Sequence, residues 1–284
     1  MREYVFMSDV NNDLEASFAE AENVRIFPQY YHFNDGVVYG DEIVLNDEEF
    51  YAKLAKKRAY SQGCNPQRVH GIMEEALKED KDIIAVMASS DCSGSYNTVL
   101  TEARELMAQY PGSRIHVVDD RMESAPGSLL IHMGIKMKKD GKSFDEVVET
   151  LEARKWDTNI LFLVDHLDYL VRGGRLSPIS GVIGTALNIK PILTMKDGLI
   201  VSLMKCRGKQ AGKKAMLEYL KQFKLEEDYF AVGHTLNEAE AAEFGETCRK
   251  ELGVNILFNF ELNPTIGTHT GPGLIGVVFM KKPE

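Results

Sequence analysis

Short apolar runs alternate with stretches of helical periodicity through the first half of the chain. The run YVFM (4–7) precedes DLEASFAEAE (13–22), and VRIFPQYYHF (24–33) runs into an Asn-Asp-Gly turn. NDEEFYAKLAKKRA (46–59) starts with Asn46 as an N-cap and Glu49 three residues on, the spacing of a capping box. PQRVHGIMEEALKED (66–80) leads into the strand IIAVM (83–87), and a helix over 95–110 leads into RIHVVDD (114–120). Strands alternating with helices of this length predict right-handed crossovers and a mainly parallel sheet.

After a helix ending near Lys155, the pattern changes. NILFLVD (159–165) is extended, and KPILTMKDGLIVSLMKCR (190–207) is two extended runs around a Lys-Asp-Gly turn, a hairpin signal. DYFAVGHT, the helix NEAEAAEFGETCRKELG, VNILFNFEL and the final strand IGVVFMKK follow. The expectation is an α/β protein of two domains. Residues 1–157 form a mainly parallel α/β sheet domain, and residues 158–284 form an α+β domain with a mixed, partly antiparallel sheet.

Composition narrows the function classes. The 284 residues carry 33 basic and 43 acidic side chains, a net charge of −10, which argues against nucleic acid and anionic membrane surfaces. No stretch reaches the roughly 18 apolar residues of a membrane helix. No basic, apolar leader opens the chain. Cys64, Cys92, Cys206 and Cys248 are widely spread, without metal-like spacing, and fit a reduced, cytoplasmic protein.

The segment SSDCSGSYNTV (89–99) concentrates hydroxyls between a strand and a helix. In a parallel sheet this point faces the ligand crevice, and helix N-termini there receive anions. A covalent nucleophile fits less well, because Ser93 lacks the Gly-x-Ser-x-Gly surround. No phosphate loop of the Gly-x-x-x-x-Gly-Lys type occurs. Three further stretches repeat the polar, glycine-rich theme. They are YSQGCNP (60–66) between two helices, YLVRGGRLS (169–177) with Arg172 and Arg175 followed by Lys190, and IGTHTGPG (266–273), a loop around His269. Each alone is a turn; together they suggest one crevice for a negatively charged group. The helix GSLLIHMGIKM, with Met133 and Met137, and the segment PISGVIGTALNI are candidates to line an apolar tail. Trp156 is read as packing at the domain junction.

In these residues the chain resembles the DegV family of bacterial lipid-binding proteins. The resemblance runs in order through MSDVNNDL, IVLNDEEFYAKL, YSQGCNP, SSDCSGSYNTV, IHVVDD, LDYLVRGGRLS, IGTALNIKPIL, DGLI, CRGKQAGKKA and GTHTGPGLIGV. It implies one long-chain fatty acid between two domains and no cofactor. It also implies a carboxylate held near Ser61, Ser93, Gly94 and His269, with Tyr60 standing where the family has threonine. Some members of the family hand the acid to a separate fatty acid kinase, which phosphorylates the carboxylate. The arginines matching Arg172 and Arg207 lie near the ligand's charged end in such carriers, and Arg172, Arg175, Arg207 and Lys190 are candidates for partner or phosphate contacts. At ~0.8 kcal/mol per buried methylene, a tail of about 14 methylenes contributes on the order of 11 kcal/mol before binding costs. The tail therefore sets affinity and the head-group loops set orientation. The competing reading is an enzyme acting on a small anion, with Ser93, Cys92 or His269 catalytic.

Overall fold

The computed structural model describes residues 2–176 and 189–283. The chain runs β1 (Tyr4–Asp9), α1 (Ala16–Ala21), β2 (Arg25–Phe27), β3 (Tyr30–His32), β4 (Val38–Tyr39), α2 (Asp47–Leu54), β5 (Tyr60–Gln62) and α3 (Pro66–Lys78). It continues through β6 (Asp82–Met87), α4 (Ser95–Gln109), β7 (Ile115–Asp119), α5 (Pro126–Lys139), α6 (Phe144–Arg154), β8 (Thr158–Leu163) and α7 (Asp168–Gly173). After the segment 177–188 come β9 (Ile189–Lys196), β10 (Leu199–Arg207), α8 (Lys209–Leu220), β11 (Leu225–His234), α9 (Glu238–Leu252), β12 (Phe258–Glu261), α10 (Pro264–Thr270) and β13 (Ile275–Lys281).

The architecture is α/β. One sheet, in the order β2-β1-β6-β7, is parallel throughout. The second, β10-β9-β8-β13-β11-β12, is antiparallel except for the β11–β12 pair. A small antiparallel sheet, β4-β3-β5, carries an aromatic core of Tyr31, Phe33, Tyr39 and Phe50.

Strand alternation explains the layering. In β6, Ile84 and Val86 face α5 while Ile83, Ala85 and Met87 face α3 and α4; in β8, Ile160 and Phe162 point one way and Leu161 and Leu163 the other. Both faces of each sheet are thus buried, as continuous apolar strands require. Helix α5 lies between the sheets. Its Leu129, Leu130, Ile131 and Ile135 share one core with Phe6 and Val118 of the first sheet and Phe162 and Val278 of the second. A helix apolar on all sides is the kind that packs on all sides. The outer faces are closed by α3 and α4 on the first sheet and by α8 and α9 on the second.

Local signals held in several places. Asn46 and Glu49 form the reciprocal capping box, and the Lys-Asp-Gly hairpin turns through Asp197 (φ 52) and Gly198 (φ 81). Other expectations are corrected. The stretch around His269 is not an open loop, because residues 264–270 are helical. Residues 60–66 do lie between two helices, α2 and α3, and their first three form the strand β5 rather than a turn. Trp156 is 59% exposed, with Lys155 over its ring, so it packs no junction. The helix 127–137 is core between the sheets, the plainer of the two roles open to it. The segment PISGVIGTALNI lies almost wholly outside the described residues. No helix among the described residues is long and apolar enough to cross a membrane.

Candidate functional site

The site is assembled where β1, β6 and β7 end and where the small sheet meets α10. Asn263 caps α10, accepting from Thr265 N at 2.9 Å and Ile266 N at 3.3 Å, while Pro264 occupies the first turn, where its missing N–H costs nothing. This puts His269 in the last turn, with its Nε2 2.7 Å from Ser61 Oγ, the central residue of β5. Helix α7 ends against the same imidazole. A Cβ on Gly173 would overlap His269 Nδ1, so the two helices approach only because residue 173 is glycine.

Most of the serine cluster is structural. Ser89 Oγ and Cys92 Sγ donate to Gly198 O at 2.8 and 3.2 Å, tying the loop to the β9–β10 hairpin. Ser90 Oγ donates to Asp119 Oδ2 at 2.6 Å, and Ser95 Oγ accepts from Cys64 N at 3.1 Å. Ser93 bonds locally, its Oγ donating to Ser95 Oγ at 3.0 Å, and it lines a cavity. Gly94 is the N-cap of α4, contributes no capping side chain, and lines the same cavity.

That cavity is a chamber of about 100 Å³, with Ser61, Ser93, His269, Arg175, Asn11, Gln29 and Glu123 on its polar wall and Cys92, Leu170, Ile200 and Ile266 on its apolar wall. It shares Glu123, Ile200, Ile266 and Thr270 with a narrow apolar slot of about 40 Å³, whose walls include Ile160, Phe162, Met195, Phe260 and Val278. On its other side, Ser61, His269 and Arg175 also border an outer basin of about 380 Å³ ringed by Lys56, Lys57, Arg58 and Arg172. Apolar slot, chamber and cationic basin thus lie in sequence, with the chamber in the middle.

Of the residues expected at the site, Ser61, Ser93, Gly94, His269 and Arg175 meet at the chamber. Tyr60 lines the basin instead, stacked on His32 with Arg58 over its ring. Arg172 is also at the basin, paired with Asp168 at 2.7 Å. Lys190 is held by Asp165, donating to its backbone oxygen at 2.7 Å, and Arg207 is exposed at the end of β10; neither borders the chamber, the slot or the basin. Sequence reasoning missed Asn11, which lies in the string MSDVNNDL but was not singled out, Gln29 and Glu123, which carry no local motif, and the slot residues, whose only signal is the period of two in their strands.

Burial and the nearby Arg175 guanidinium push His269 down to about 4, so the ring is neutral. Its Nδ1 has no hydrogen-bond partner. In the tautomer with the ring proton on Nε2, that N–H donates to Ser61 Oγ and leaves the hydroxyl hydrogen free to point at a ligand; in the other, Ser61 Oγ donates to Nε2. The same features weaken the enzyme reading. Ser93 Oγ engages Ser95 rather than an imidazole, burial pushes the Cys92 thiol up, and His269 has no acid to orient it. Among the described residues, His70, Glu102 and Glu105 could gather a cation between α3 and α4, but none of them lines the chamber.

A family profile described as an uncharacterised protein of the DegV family matches residues 6–282. A DegV domain-containing protein of Caldanaerobacter subterraneus subsp. tengcongensis is 30% identical over 285 residues, covering 99% of this chain and 100% of the relative. Among solved structures, a stearic-acid-binding protein of Eubacterium ventriosum superposes with a TM-score of 0.87 at 25% identity, covering 98% of each chain. A fatty-acid-binding DegV family protein of Thermus thermophilus superposes with 0.89 at 25% identity, covering 99% of this chain and 100% of the other. Full-length matches of this kind, on the same two-sheet fold, make the chain a member of the DegV family.

Proposed function

We propose that the protein is a non-enzymatic carrier that binds one long-chain fatty acid, with the tail in the apolar slot and the carboxylate in the polar chamber. The fatty-acid-binding relatives support this reading. The observation that carries it is the order of the three spaces: Ser61 and His269 stand between a chamber that shares walls with the slot and a basin lined by cations. An acid seated there has its tail buried and its carboxyl group at the basin's edge. At about 40 Å³ the slot is smaller than a long acyl chain, so its walls must part on binding, and Met195 is an adaptable member of that wall.

The ligand then lies between the unit of residues 1–157, which supplies Ser61 and Ser93, and that of residues 158–284, which supplies His269 and the slot. The basin suits a partner handling phosphate, and we read it as the docking face for a fatty acid kinase that forms an acyl phosphate; in this reading Arg172 and Arg175, both in the basin lining, balance the charge of the transition state. Four free cysteines fit a cytoplasmic location.

Native mass spectrometry of protein purified from cells tests the carrier reading. One bound mass in the C14–C18 acid range is expected, and Ser93→Ala should weaken rebinding by roughly tenfold or more while the fold persists, from loss of one charge-assisted bond. A protein that neither retains nor rebinds any such acid would refute it. The kinase arm is tested by acyl-phosphate formation with a cognate kinase.

A further inference from the structure

Glu123 stands at the junction of the polar chamber and the apolar slot, bordering both. Asn11 Nδ2 lies 3.5 Å from its Oε2 and 3.4 Å from Gln29 Oε1, linking the three side chains. Gln29 is 2% exposed and lines the chamber; its Nε2 makes no well-formed hydrogen bond, the Asp9 carboxyl being the acceptor near it. A buried amide N–H without a well-formed bond is costly unless a ligand supplies one. A carboxylate anchored on Ser61 and Ser93 would fill that need. It would also share about 100 Å³ with the carboxyl group of Glu123. Two carboxylates in one small, poorly hydrated space cannot both ionise.

We propose that Glu123 and Gln29 read the head group, the ligand's carboxyl being held with one proton shared between it and Glu123 while Gln29 Nε2 donates a hydrogen bond to it. This rests on the fatty-acid reading above and adds that the captured species is the acid–carboxylate pair rather than a lone anion. The surroundings favour it. Asp9 at the end of β1 and Asp13 beyond it add negative charge as they ionise, opposed by Arg175, and Asp120 after β7 is a further buried acid; His269 is neutral and the Cys92 thiol is protonated. Burial raises the Glu123 carboxyl well above its ordinary range. Once alkaline pH strips Glu123, each capture must draw that proton from solvent, and affinity falls with a limiting slope of about tenfold per pH unit.

The test is equilibrium binding of delipidated protein to palmitic acid from pH 6 to 10, for the wild type, Glu123→Gln and Gln29→Leu, with hexadecanol as a neutral probe of the same length. The wild type should lose palmitate affinity toward the alkaline end. Glu123→Gln, isosteric and permanently neutral, should show a markedly flatter profile and bind palmitate at least tenfold more tightly than the wild type at the highest pH. The residual slope it shares with the wild type reports Asp9 and Asp13. Gln29→Leu should weaken palmitate by about tenfold at every pH and leave hexadecanol unchanged. Identical pH profiles for wild type and Glu123→Gln, with tight binding in both, would overturn the shared proton and leave the carrier reading standing. Failure of folded wild type and Glu123→Gln to bind palmitate at any pH would overturn both.

Discussion

At the scale of single residues, the chamber is governed by contacts that leave no slack. The Ser61–His269 bond of 2.7 Å positions a hydroxyl at the border of chamber and basin, and Gly173 gives the imidazole its room. Gly173→Ala should therefore act as a His269 variant. We expect it to displace the ring, break its bond to Ser61, and slow kinase-coupled turnover of bound acid more than it lowers lipid occupancy, as His269→Ala should. Occupancy by mass spectrometry beside acyl-phosphate formation checks this; equal losses in both quantities would make His269 a head-group contact alone. Ser61, Ser93 and His269 were legible in the sequence because hydroxyls and imidazole sit in recognisable strings. Gln29 and Glu123 were not, since an amide or a carboxyl becomes a chamber wall only through what the fold places opposite it.

At the scale of elements, the β9–β10 hairpin is the clasp between the second sheet and the serine loop of the first. Gly198 O accepts from Ser89 Oγ and Cys92 Sγ, and a Cβ on Gly198 would meet the side chains of Asp91, Arg121 and Ser89. Gly36 offers an internal control: it has φ +80 against +81 for Gly198, with nothing within 4 Å of an added Cβ. Gly36→Ala should cost only the left-handed strain, about 1–2 kcal/mol. Gly198→Ala should cost more and also weaken fatty acid binding, because the loop it pushes carries Ser93. Urea unfolding of both variants checks the ordering; equal losses would show that the clasp yields freely. The hairpin was readable from Lys-Asp-Gly between apolar runs. Helix α10 was not recognised, although Asn263 followed by Pro264 is a helix-start signal, because the glycines and threonines after it read more readily as loop.

At the scale of the whole molecule, the buried acids set the pH response. Burial raises Asp9 and Asp13 to about 7 and lifts Asp120 and Glu123 well above the ordinary range. Each binds its proton more tightly folded than unfolded, so the stability it contributes is full below about pH 4 and is lost as pH rises through the folded value. His269, lowered to about 4, works in the opposite sense: its contribution is present above about pH 6.5 and is lost as pH falls toward 4. Burial lowers His234 in the same sense, and the four acids outweigh the two imidazoles. The delipidated protein should therefore melt at a lower temperature at pH 8 than at pH 5.5, at constant ionic strength. A melting temperature that climbs across this range would mean that these carboxyls are ionised and well solvated in the folded state.

What the sequence by itself determined was everything that depends on neighbours along the chain. That covers the two sheets with their differing connectivity, the capping box at Asn46, the hairpin at Asp197–Gly198, and the polar strings holding Ser61, Ser93, Arg175 and His269. Such features are set by side-chain periodicity, by backbone freedom and by hydrogen bonds a few residues long. Only the tertiary structure decided that α5 fills the space between sheets while alternate residues of β8, β9 and β13 wall the slot. It also decided that Lys190 and Arg207 lie away from the chamber, and that Glu123 stands where an apolar slot meets a polar one. The reason is physical. A buried residue in a strand or central helix is apolar whether it faces a neighbour or a cavity, and a charged residue in a loop looks solvated until a second chain segment, far away in sequence, closes over it.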